Sequence, residues 1–355
     1  MPQRRAVFFL HGLPDYEALF PLACHLAARG VPVKCLGASA ALRREPRLRG
    51  LVAKAPVPVR MIPNRLLKRF SGLWLKPGDV PVVLADPAYD RSATGRRGQH
   101  ILRHGIDSIF VQHGVIQTHV NYPLDMADPQ PFHSALLLLY GPPQGATAIT
   151  EEARGRVRQV GFLKRPLFAP RPPSPAFRQL QSGFARTVLL CHSFRWQARY
   201  SGSEIESYYA FVRQVAGARP DHLFILRGHR GKARAMHREK DAELLRAVPN
   251  VVLSNAHSGP LKAMDMHDVL DLADLTISTA STAILDSLYR GRMAAVFRNE
   301  HPVFQDLPNI ETAEDALRFL DAPPQQAGDA LLGRFGEVDA NLDRAADEIA
   351  DFLAR

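Results

Sequence analysis

The chain has 355 residues, which is enough for two or three domains. Its composition, with 46% hydrophobic and 23% charged residues, is typical of a globular protein. No stretch approaches the roughly 18 uncharged apolar residues of a membrane-spanning helix. The five apolar residues before His11 predict a buried strand rather than a signal peptide. Three cysteines without a CxxC pair favour a reducing cytoplasm.

The formal net charge of +10 is unevenly distributed. Residues 1–110 hold 18 Lys and Arg against 7 Asp and Glu, so the basic surface belongs to the N-terminal part alone. Nucleic acid, anionic lipid and an acidic polymer are therefore the candidate partners of this part.

Short apolar runs alternate with helical patterns along the whole chain. Near-continuous apolar runs predict buried parallel strands at residues 6–10, 31–36, 80–85, 108–112 and 135–140. Helical periodicity predicts helices at residues 16–29 and 93–104. Five prolines between Pro166 and Pro175 predict a stiff linker, and the domain boundary is placed there.

The alternation then restarts. Strands are predicted at residues 187–191, 222–226, 251–253, 275–278 and 293–297, with helices at 203–217, 232–247, 265–273, 281–290 and 340–354. This pattern predicts two Rossmann-like α/β domains with parallel sheets. We expect residues 1–165 to form the acceptor- and membrane-facing domain and residues 166–355 to form the nucleotide-donor domain. The terminal helix is expected in the second domain; alternatively, it crosses back to the first.

Several common catalytic motifs are absent from the sequence. It has no GxSxG nucleophile elbow, no P-loop, no HExxH and no DxD. A transferase that holds its donor through a carboxylate-bound metal normally needs such acidic ligands. We therefore expect metal-independent chemistry and no cofactor.

The strongest candidate site is the turn between the predicted strand 275–278 and the helix that follows it. Its hydroxyl-bearing residues are Ser278, Thr279, Ser281 and Thr282. Free backbone N–H groups and the helix dipole favour an anion there, so the turn predicts a pyrophosphate site, with Asp286 one helical turn further on. The alternative is an ordinary Ser/Thr N-cap, although four hydroxyls exceed what one cap needs.

Two further segments follow strand ends. His113 ends a buried strand before Gly114, which suits a general base; the alternative is a hydrogen-bonded core histidine. The strand 222–226 is followed by three basic residues, Arg227, His229 and Arg230. Cations at this position could neutralise a leaving phosphate; the alternative is a solvated basic turn.

Residues 64–76 combine apolar and basic side chains at helical spacing. Leu66, Phe70, Leu73 and Trp74 are expected on one face, with Arg65, Lys68, Arg69 and Lys76 around it. This composition is typical of a helix that lies on an anionic membrane surface. A basic helix packed on the core is an equally good interpretation.

The order of these motifs resembles that of CDP-glycerol glycerophosphotransferases, which are teichoic-acid and capsule transferases of GT-B fold, with two Rossmann-like domains facing across a cleft. The matching positions are His113-Gly114, Arg227 with His229, residues 274–286 and residues 336–341. The resemblance implies that His113 is the catalytic base, that His229 contacts donor phosphate, and that the hydroxyls of residues 278–282 bind pyrophosphate. Capsule and lipopolysaccharide sugar transferases, including those that use CMP-Kdo, are similar in outline.

The sequence thus predicts a peripheral enzyme on the inner face of the plasma membrane. It would transfer glycerol phosphate or a sugar from a nucleotide-activated donor to a hydroxyl of a membrane-linked cell-surface glycan. The alternatives are a GT-B glycosyltransferase using CMP-Kdo or a UDP- or GDP-sugar, and a nucleotide-sugar epimerase, which would release nucleotide without an acceptor. Nucleic-acid binding by residues 1–110 is disfavoured because no aromatic-basic RNA motif accompanies the charge.

Overall fold

The computed structural model describes residues 3–88, 95–122, 128–193, 202–228, 237–254, 259–262 and 264–355. The chain forms two compact units: unit 1 comprises Met1–Phe168 with Arg334–Arg355, and unit 2 comprises Ala169–Gly333. The first junction lies inside the proline-rich segment. The second junction corrects the predicted domain of residues 166–355: the C-terminal helix belongs to unit 1, as in the alternative in which it crosses back.

Unit 1 is built on a sheet of seven parallel strands in the order β3-β2-β1-β4-β5-β6-β7. The strands are β1 (Arg5–Leu10), β2 (Val33–Ala38), β3 (Val59–Ile62), β4 (Asp79–Val83), β5 (Ile109–Val111), β6 (Leu136–Leu139) and β7 (Val157–Gln159). β3 and β7 are not among the strands predicted from the sequence. Each is a short edge strand that contains an arginine and has only one buried residue, so neither produces an apolar run.

Helices connect the strands of unit 1. They span Leu13–Ala28, Ser39–Arg44, Arg47–Ala53, Asn64–Arg69, Gly95–Arg103 and Glu151–Arg154, with 3-10 turns at Ser71–Trp74 and Pro143–Gly145. The first helix begins three residues earlier than its periodicity predicts. Pro14 suits the first helical turn, and the Asp15 carboxylate accepts a hydrogen bond of 2.9 Å from the Gly12 N–H.

The C-terminal helix, Val338–Ala354, is fixed to unit 1 through the fully buried Asn341. The Asn341 Nδ2 donates to the carbonyls of Phe162 and Phe335, at 3.0 and 2.6 Å. Gly161 has a φ of +82°, and a Cβ at this position would lie 2.4 Å from the Phe335 carbonyl oxygen. The turn at residues 336–341 therefore holds the terminal helix against the strands of unit 1.

Unit 2 is built on a sheet of six parallel strands in the order β10-β9-β8-β11-β12-β13. The strands are β8 (Arg186–Cys191), β9 (His222–Arg227), β10 (Val251–Ser254), β11 (Leu275–Thr279), β12 (Met293–Phe297) and β13 (Asn309–Ile310). The helices are Pro175–Gln181, Gly202–Ala218, Arg238–Ala247, Met266–Leu270, Thr282–Leu288 and Ala313–Asp321, with a 3-10 turn at Pro302–Phe304. A further helix, Asp329–Phe335, spans the second junction.

Alternate residues of β8 pack into two different cores of unit 2. Val188 and Leu190 belong to a cluster with Tyr208 of the helix Gly202–Ala218. Leu189 belongs to a second cluster with Phe177 of the helix Pro175–Gln181. The sheet is therefore covered by helices on both faces, which explains why its strands are continuous apolar runs.

Each sheet reverses its winding direction once. In unit 1 the chain goes from β1 to β2 and β3 on one side before it returns to β4 on the other side of β1. In unit 2 the same reversal separates β8 from β11. The carboxyl ends of the strands at such switch points are where open α/β sheets bind ligands. A ligand is therefore expected at these two edges.

Candidate functional site

The switch point of unit 2 is lined by hydroxyl groups from two loops. Ser193 follows β8, and its backbone N–H donates to the Thr279 Oγ1 at 3.1 Å; the two hydroxyls lie 3.0 Å apart. The Ser278 Oγ donates to the Thr279 carbonyl at 2.8 Å and lies 3.1 Å from the Ser281 Oγ. The loops after β8 and β11 thus share one connected group of hydroxyls, which we call the hydroxyl cluster (Ser193, Ser278, Thr279 and Ser281). Ser278 and Thr279 are buried, whereas Ser193 and Ser281 are partly exposed.

Ser281 occupies the N-cap position of the helix Thr282–Leu288 without capping it. Its side chain makes no capping hydrogen bond, and its hydroxyl instead faces Ser278. By contrast, Thr312 is a true cap of the helix Ala313–Asp321, since its Oγ1 accepts from the Asp315 N–H at 3.2 Å. The ordinary N-cap interpretation therefore does not describe the Ser281 side chain.

Arg227 and Asp286 lie deeper than the sequence analysis assumed. Arg227 ends β9 but is only 5% exposed, and its Nη1 donates to the buried Ser254 Oγ at 2.6 Å. Asp286, on the helix after the hydroxyl cluster, is 8% exposed. Burial raises the pKa of the neighbouring Cys191 thiol to about 12. The Asp286 charge adds to this increase in pKa, and the Arg227 charge opposes it. His229 and Arg230 lie outside the described residues.

In unit 1, the loop that carries His113 is held by a network of side-chain amides. The Gln117 Oε1 accepts from the N–H groups of His113 (3.0 Å) and Gly114 (3.4 Å). The Gln112 Oε1 accepts from the Tyr140 N–H at 2.8 Å, and the Asn121 Nδ2 donates to the Val115 carbonyl at 2.7 Å. These bonds therefore fix the main chain from which the His113 side chain projects.

The His113 imidazole is kept neutral. Burial, assisted by the Lys164 ammonium, lowers the pKa of His113 to about 4, although a hydrogen bond to the Leu84 carbonyl opposes this shift. Among the described residues the buried Nδ1 has no hydrogen-bond partner. The other ring nitrogen, Nε2, must therefore be the Leu84 donor, which leaves a lone pair on Nδ1.

A second histidine of unit 1, His11, was not among the predicted site residues. It follows β1 and precedes Gly12, as His113 precedes Gly114 after β5. The absence of a GxSxG motif had argued against an α/β-hydrolase oxyanion segment at residues 9–12, and no other role was predicted for His11. The signal that could have found it is the repeated pattern of a buried strand followed by His-Gly.

The basic segment 64–76 is not the continuous helix that its spacing suggested. It is divided into the helix Asn64–Arg69 and the 3-10 turn Ser71–Trp74, with Leu67 buried in the core. Leu66, Phe70 and Leu73 are 45%, 41% and 78% exposed. Trp74 packs against a buried cluster of unit 1, and the Arg60 guanidinium covers its ring at 4.8 Å.

Arg65, Arg69 and Lys76 are exposed beside these apolar side chains, and Lys68 is partly exposed. Across the described part of the chain, no helix is long and apolar enough to cross a membrane. In the same residues, no group of three or more His, Cys, Asp or Glu side chains is placed to hold a metal ion.

Comparison with known proteins places the chain by its fold. No known family model and no curated protein matches the sequence. A solved structure of a putative UDP-N-acetylglucosamine 2-epimerase from Listeria monocytogenes superposes with a TM-score of 0.66 at 14% identity, covering 99% of this chain and 97% of that one.

Two further solved structures are similar over nearly the whole chain. An Arabidopsis thaliana UGT89C1 structure complexed with UDP gives a TM-score of 0.57 at 12% identity, covering 98% of this chain and 100% of that one. A structure of the wall teichoic acid polymerase TagF soaked with CDPG gives a TM-score of 0.52 at 11% identity, covering 99% of this chain and 88% of that one. The protein therefore has the GT-B fold, with two Rossmann-like domains that each contain a parallel sheet.

Proposed function

We propose that this protein is a nucleotide-dependent transferase whose unit 2 binds the donor phosphates at the hydroxyl cluster. The observation that carries this proposal is the direct contact between Ser193 and Thr279 at the β8–β11 switch point. Hydroxyl groups and backbone N–H groups from two loops can donate to phosphate oxygens there. UDP in one similar structure and CDPG in another are consistent with a nucleotide ligand.

The proposed reaction transfers glycerol phosphate or a sugar to a hydroxyl of a membrane-linked glycan. The acceptor oxygen forms a bond to the phosphorus or the anomeric carbon of the donor, and the bond to the nucleotide phosphate breaks. The nucleoside mono- or diphosphate leaves with the bonding electrons, and the acceptor proton passes to a base. The motif order that resembles CDP-glycerol glycerophosphotransferases favours glycerol phosphate as the transferred group.

His113 is the proposed base. Its lone pair on Nδ1 can accept a proton from the acceptor hydroxyl, provided that substrate binding opens a path to this buried nitrogen. We expect His113→Ala to lower turnover by about 10²–10⁴-fold with little change in donor affinity, since that is the usual contribution of a general base. A variant that retains more than about a tenth of wild-type turnover would exclude the role.

A second candidate function is epimerisation of a nucleotide sugar. The 2-epimerase from Listeria monocytogenes has a TM-score of 0.66, against 0.52 for the teichoic acid polymerase. CDP-glycerol, CMP-Kdo, UDP- and GDP-sugars should first be screened by thermal shift, because a donor at 100 times its dissociation constant stabilises a protein by about 2.7 kcal/mol. Nucleotide release is then measured with and without glycan acceptors. A transferase requires the acceptor, whereas an epimerase changes the sugar without one.

The phosphate site can be tested against a matched helix cap. In Ser281→Ala/Thr282→Ala we expect donor binding about 10²-fold weaker in calorimetry, because hydrogen bonds to charged phosphate are worth about 1.5–3 kcal/mol each. In Thr312→Ala we expect unit 2 to lose about 1 kcal/mol of stability with unchanged donor affinity, because a true cap is lost. Equal donor affinity in both variants would contradict the proposal. Loss of binding in EDTA would contradict its metal independence.

The exposed surface formed by Leu66, Phe70 and Leu73 with Arg65 and Arg69 is proposed to dock on an anionic membrane. Basic residues near such a surface contribute about 1 kcal/mol each, and exposed apolar side chains enter the interface. Docking of this kind would hold the enzyme on the inner face of the plasma membrane, near its proposed acceptor.

Flotation with phosphatidylglycerol vesicles tests this docking. Arg65→Glu/Arg69→Glu and Leu73→Ser should each reduce recovery with the vesicles, and added salt should reduce wild-type recovery. The control is Arg49→Glu/Lys54→Glu, which makes the same charge change at two exposed positions in and just after the helix Arg47–Ala53. Equal recovery of all variants would exclude docking through this surface.

A further inference from the structure

The switch point of unit 1 contains a second cluster of polar side chains, around His11. His11 directly follows β1, which lies between β2 and β4, where the winding of the sheet reverses. The helix Leu13–Ala28 begins two residues later. His11 therefore occupies in unit 1 the topological position that the Ser193 loop occupies in unit 2.

The Arg97 guanidinium contacts both His11 and Phe9. The Arg97 side chain comes from the helix Gly95–Arg103 and is only 6% exposed. Its guanidinium lies over the Phe9 ring, 4.5 Å from the centroid, and its Nη1 lies 3.1 Å from the His11 Nε2. A buried cation that is placed this closely is already oriented before any ligand binds.

The contact with Arg97 determines which nitrogen of His11 carries the proton. A guanidinium can only donate hydrogen bonds, so the His11 Nε2 must accept and the proton lies on Nδ1. Within the described residues, this buried Nδ1 has no hydrogen-bond partner. A buried N–H without an acceptor is costly, and it marks a position where an oxygen atom would be stabilised.

The charges around His11 favour an anion at that position. Burial, the Arg97 guanidinium and the Lys68 ammonium together lower the pKa of His11 to about 3. One carboxyl group of this cluster is Asp15, whose pKa burial raises to about 6 and whose Oδ2 accepts from the Gly12 N–H. The Arg97 and Lys68 cations, which both disfavour a positive charge on His11, would favour an anionic oxygen beside its neutral imidazole.

We propose that His11 and Arg97 form an oxyanion-binding site in unit 1, in which the His11 Nδ1–H donates to a phosphate or carboxylate oxygen. Under the proposed transferase function, on which this assignment of the ligand rests, the oxyanion belongs to the acceptor substrate, because unit 2 binds the donor. The oxygen supplies the acceptor that Nδ1–H lacks, and the Arg97 guanidinium neutralises its charge.

The test follows the amide signal of Gly12 by NMR in protein labelled with ¹⁵N-glycine, with inorganic phosphate and acetate as probes and chloride at matched ionic strength. This signal reports on unit 1 separately from any phosphate that binds in unit 2. It can be assigned with Gly12→Ala, since a Cβ there comes no closer than 3.7 Å to its neighbours. We expect saturable shifts with phosphate or acetate, and not with chloride. Equal shifts with all three salts would overturn the proposal.

Two pairs of variants make the test specific. His11→Asn keeps an amide N–H near the position of Nδ1 and should retain binding, whereas His11→Gln places its amide near Nε2 and should bind at least about 10-fold more weakly. Arg97→Gln should also bind at least about 10-fold more weakly, while Arg103→Gln removes an exposed charge from the same helix and should bind like the wild type.

If Arg97→Gln fails to fold, the comparison of His11→Asn with His11→Gln still tests the proposed site. Equal binding by His11→Asn and His11→Gln would refute the role of Nδ1. Calorimetry of donor binding should give wild-type affinity in the two His11 variants. A failure of this proposal is thus distinguishable from a failure of the proposed donor site, which Ser281→Ala/Thr282→Ala tests.

Discussion

Acidification should destabilise unit 1 through His113. The folded-state pKa of about 4 lies below the ordinary value of 6.5, so the unfolded chain binds the proton more tightly. The stability from a neutral, buried His113 is therefore present above pH 6.5 and is lost as the pH falls towards 4. Between pH 7 and pH 5 this corresponds to at most about 2 kcal/mol, since one pKa unit is worth about 1.4 kcal/mol.

The assay compares wild type with His113→Gln, in which this titration is absent. Trp74 lies in unit 1, so urea unfolding followed by its fluorescence in a Trp196→Phe background reports on unit 1. The free energy of unfolding of the wild type should fall by about 1–2 kcal/mol more than that of His113→Gln on going from pH 7 to pH 5. The control, His104→Gln, removes an exposed imidazole. Parallel pH profiles for the wild type and His113→Gln would refute a neutral, buried His113.

Two other substitutions test how the C-terminal helix is attached. Asn341→Ala should destabilise unit 1 by about 2–4 kcal/mol in urea unfolding, because two buried carbonyls lose their donor; a change below about 0.5 kcal/mol would mean that water replaces the amide. Gly161→Ala should destabilise unit 1 by more than about 1 kcal/mol, because its φ is positive and its Cβ would collide with a backbone oxygen. The matched control, Gly50→Ala, lies in the helix Arg47–Ala53 with open space around it and should be stabilising by about 0.5–1 kcal/mol. Equal effects of the two glycine substitutions would contradict this explanation.

Much of the fold could be predicted from local patterns. The strands at the centre of each sheet are covered on both faces, so burial makes them continuous apolar runs such as Phe8-Phe9-Leu10 and Leu223-Phe224-Ile225. Edge strands do not satisfy this condition. The β3 strand has only one buried residue, and β13 has two residues in all, so neither produces a pattern that hydrophobicity can reveal.

Positions at strand ends could also be predicted, because the end of an apolar run shows where a loop begins. This placed His113 after β5 and the serines and threonines of residues 278–282 after β11. The sequence could not show the state of these groups. The neutral ring of His113 depends on burial and on Lys164, some fifty residues away in the chain. The contact between Ser193 and Thr279 depends on the pairing of β8 with β11.

The sequence by itself determined two Rossmann-like domains, because alternating apolar runs and amphipathic helices are local consequences of chain geometry. Tertiary structure alone decided between the two placements of the C-terminal helix that the sequence left open, since Asn341 contacts Phe162, 179 positions away, in unit 1. It alone placed Arg97 on His11, through a hydrogen bond between residues 86 positions apart. Contacts of this kind depend on which strands become neighbours, and the order of strands in a sheet is not encoded in any one segment of the chain.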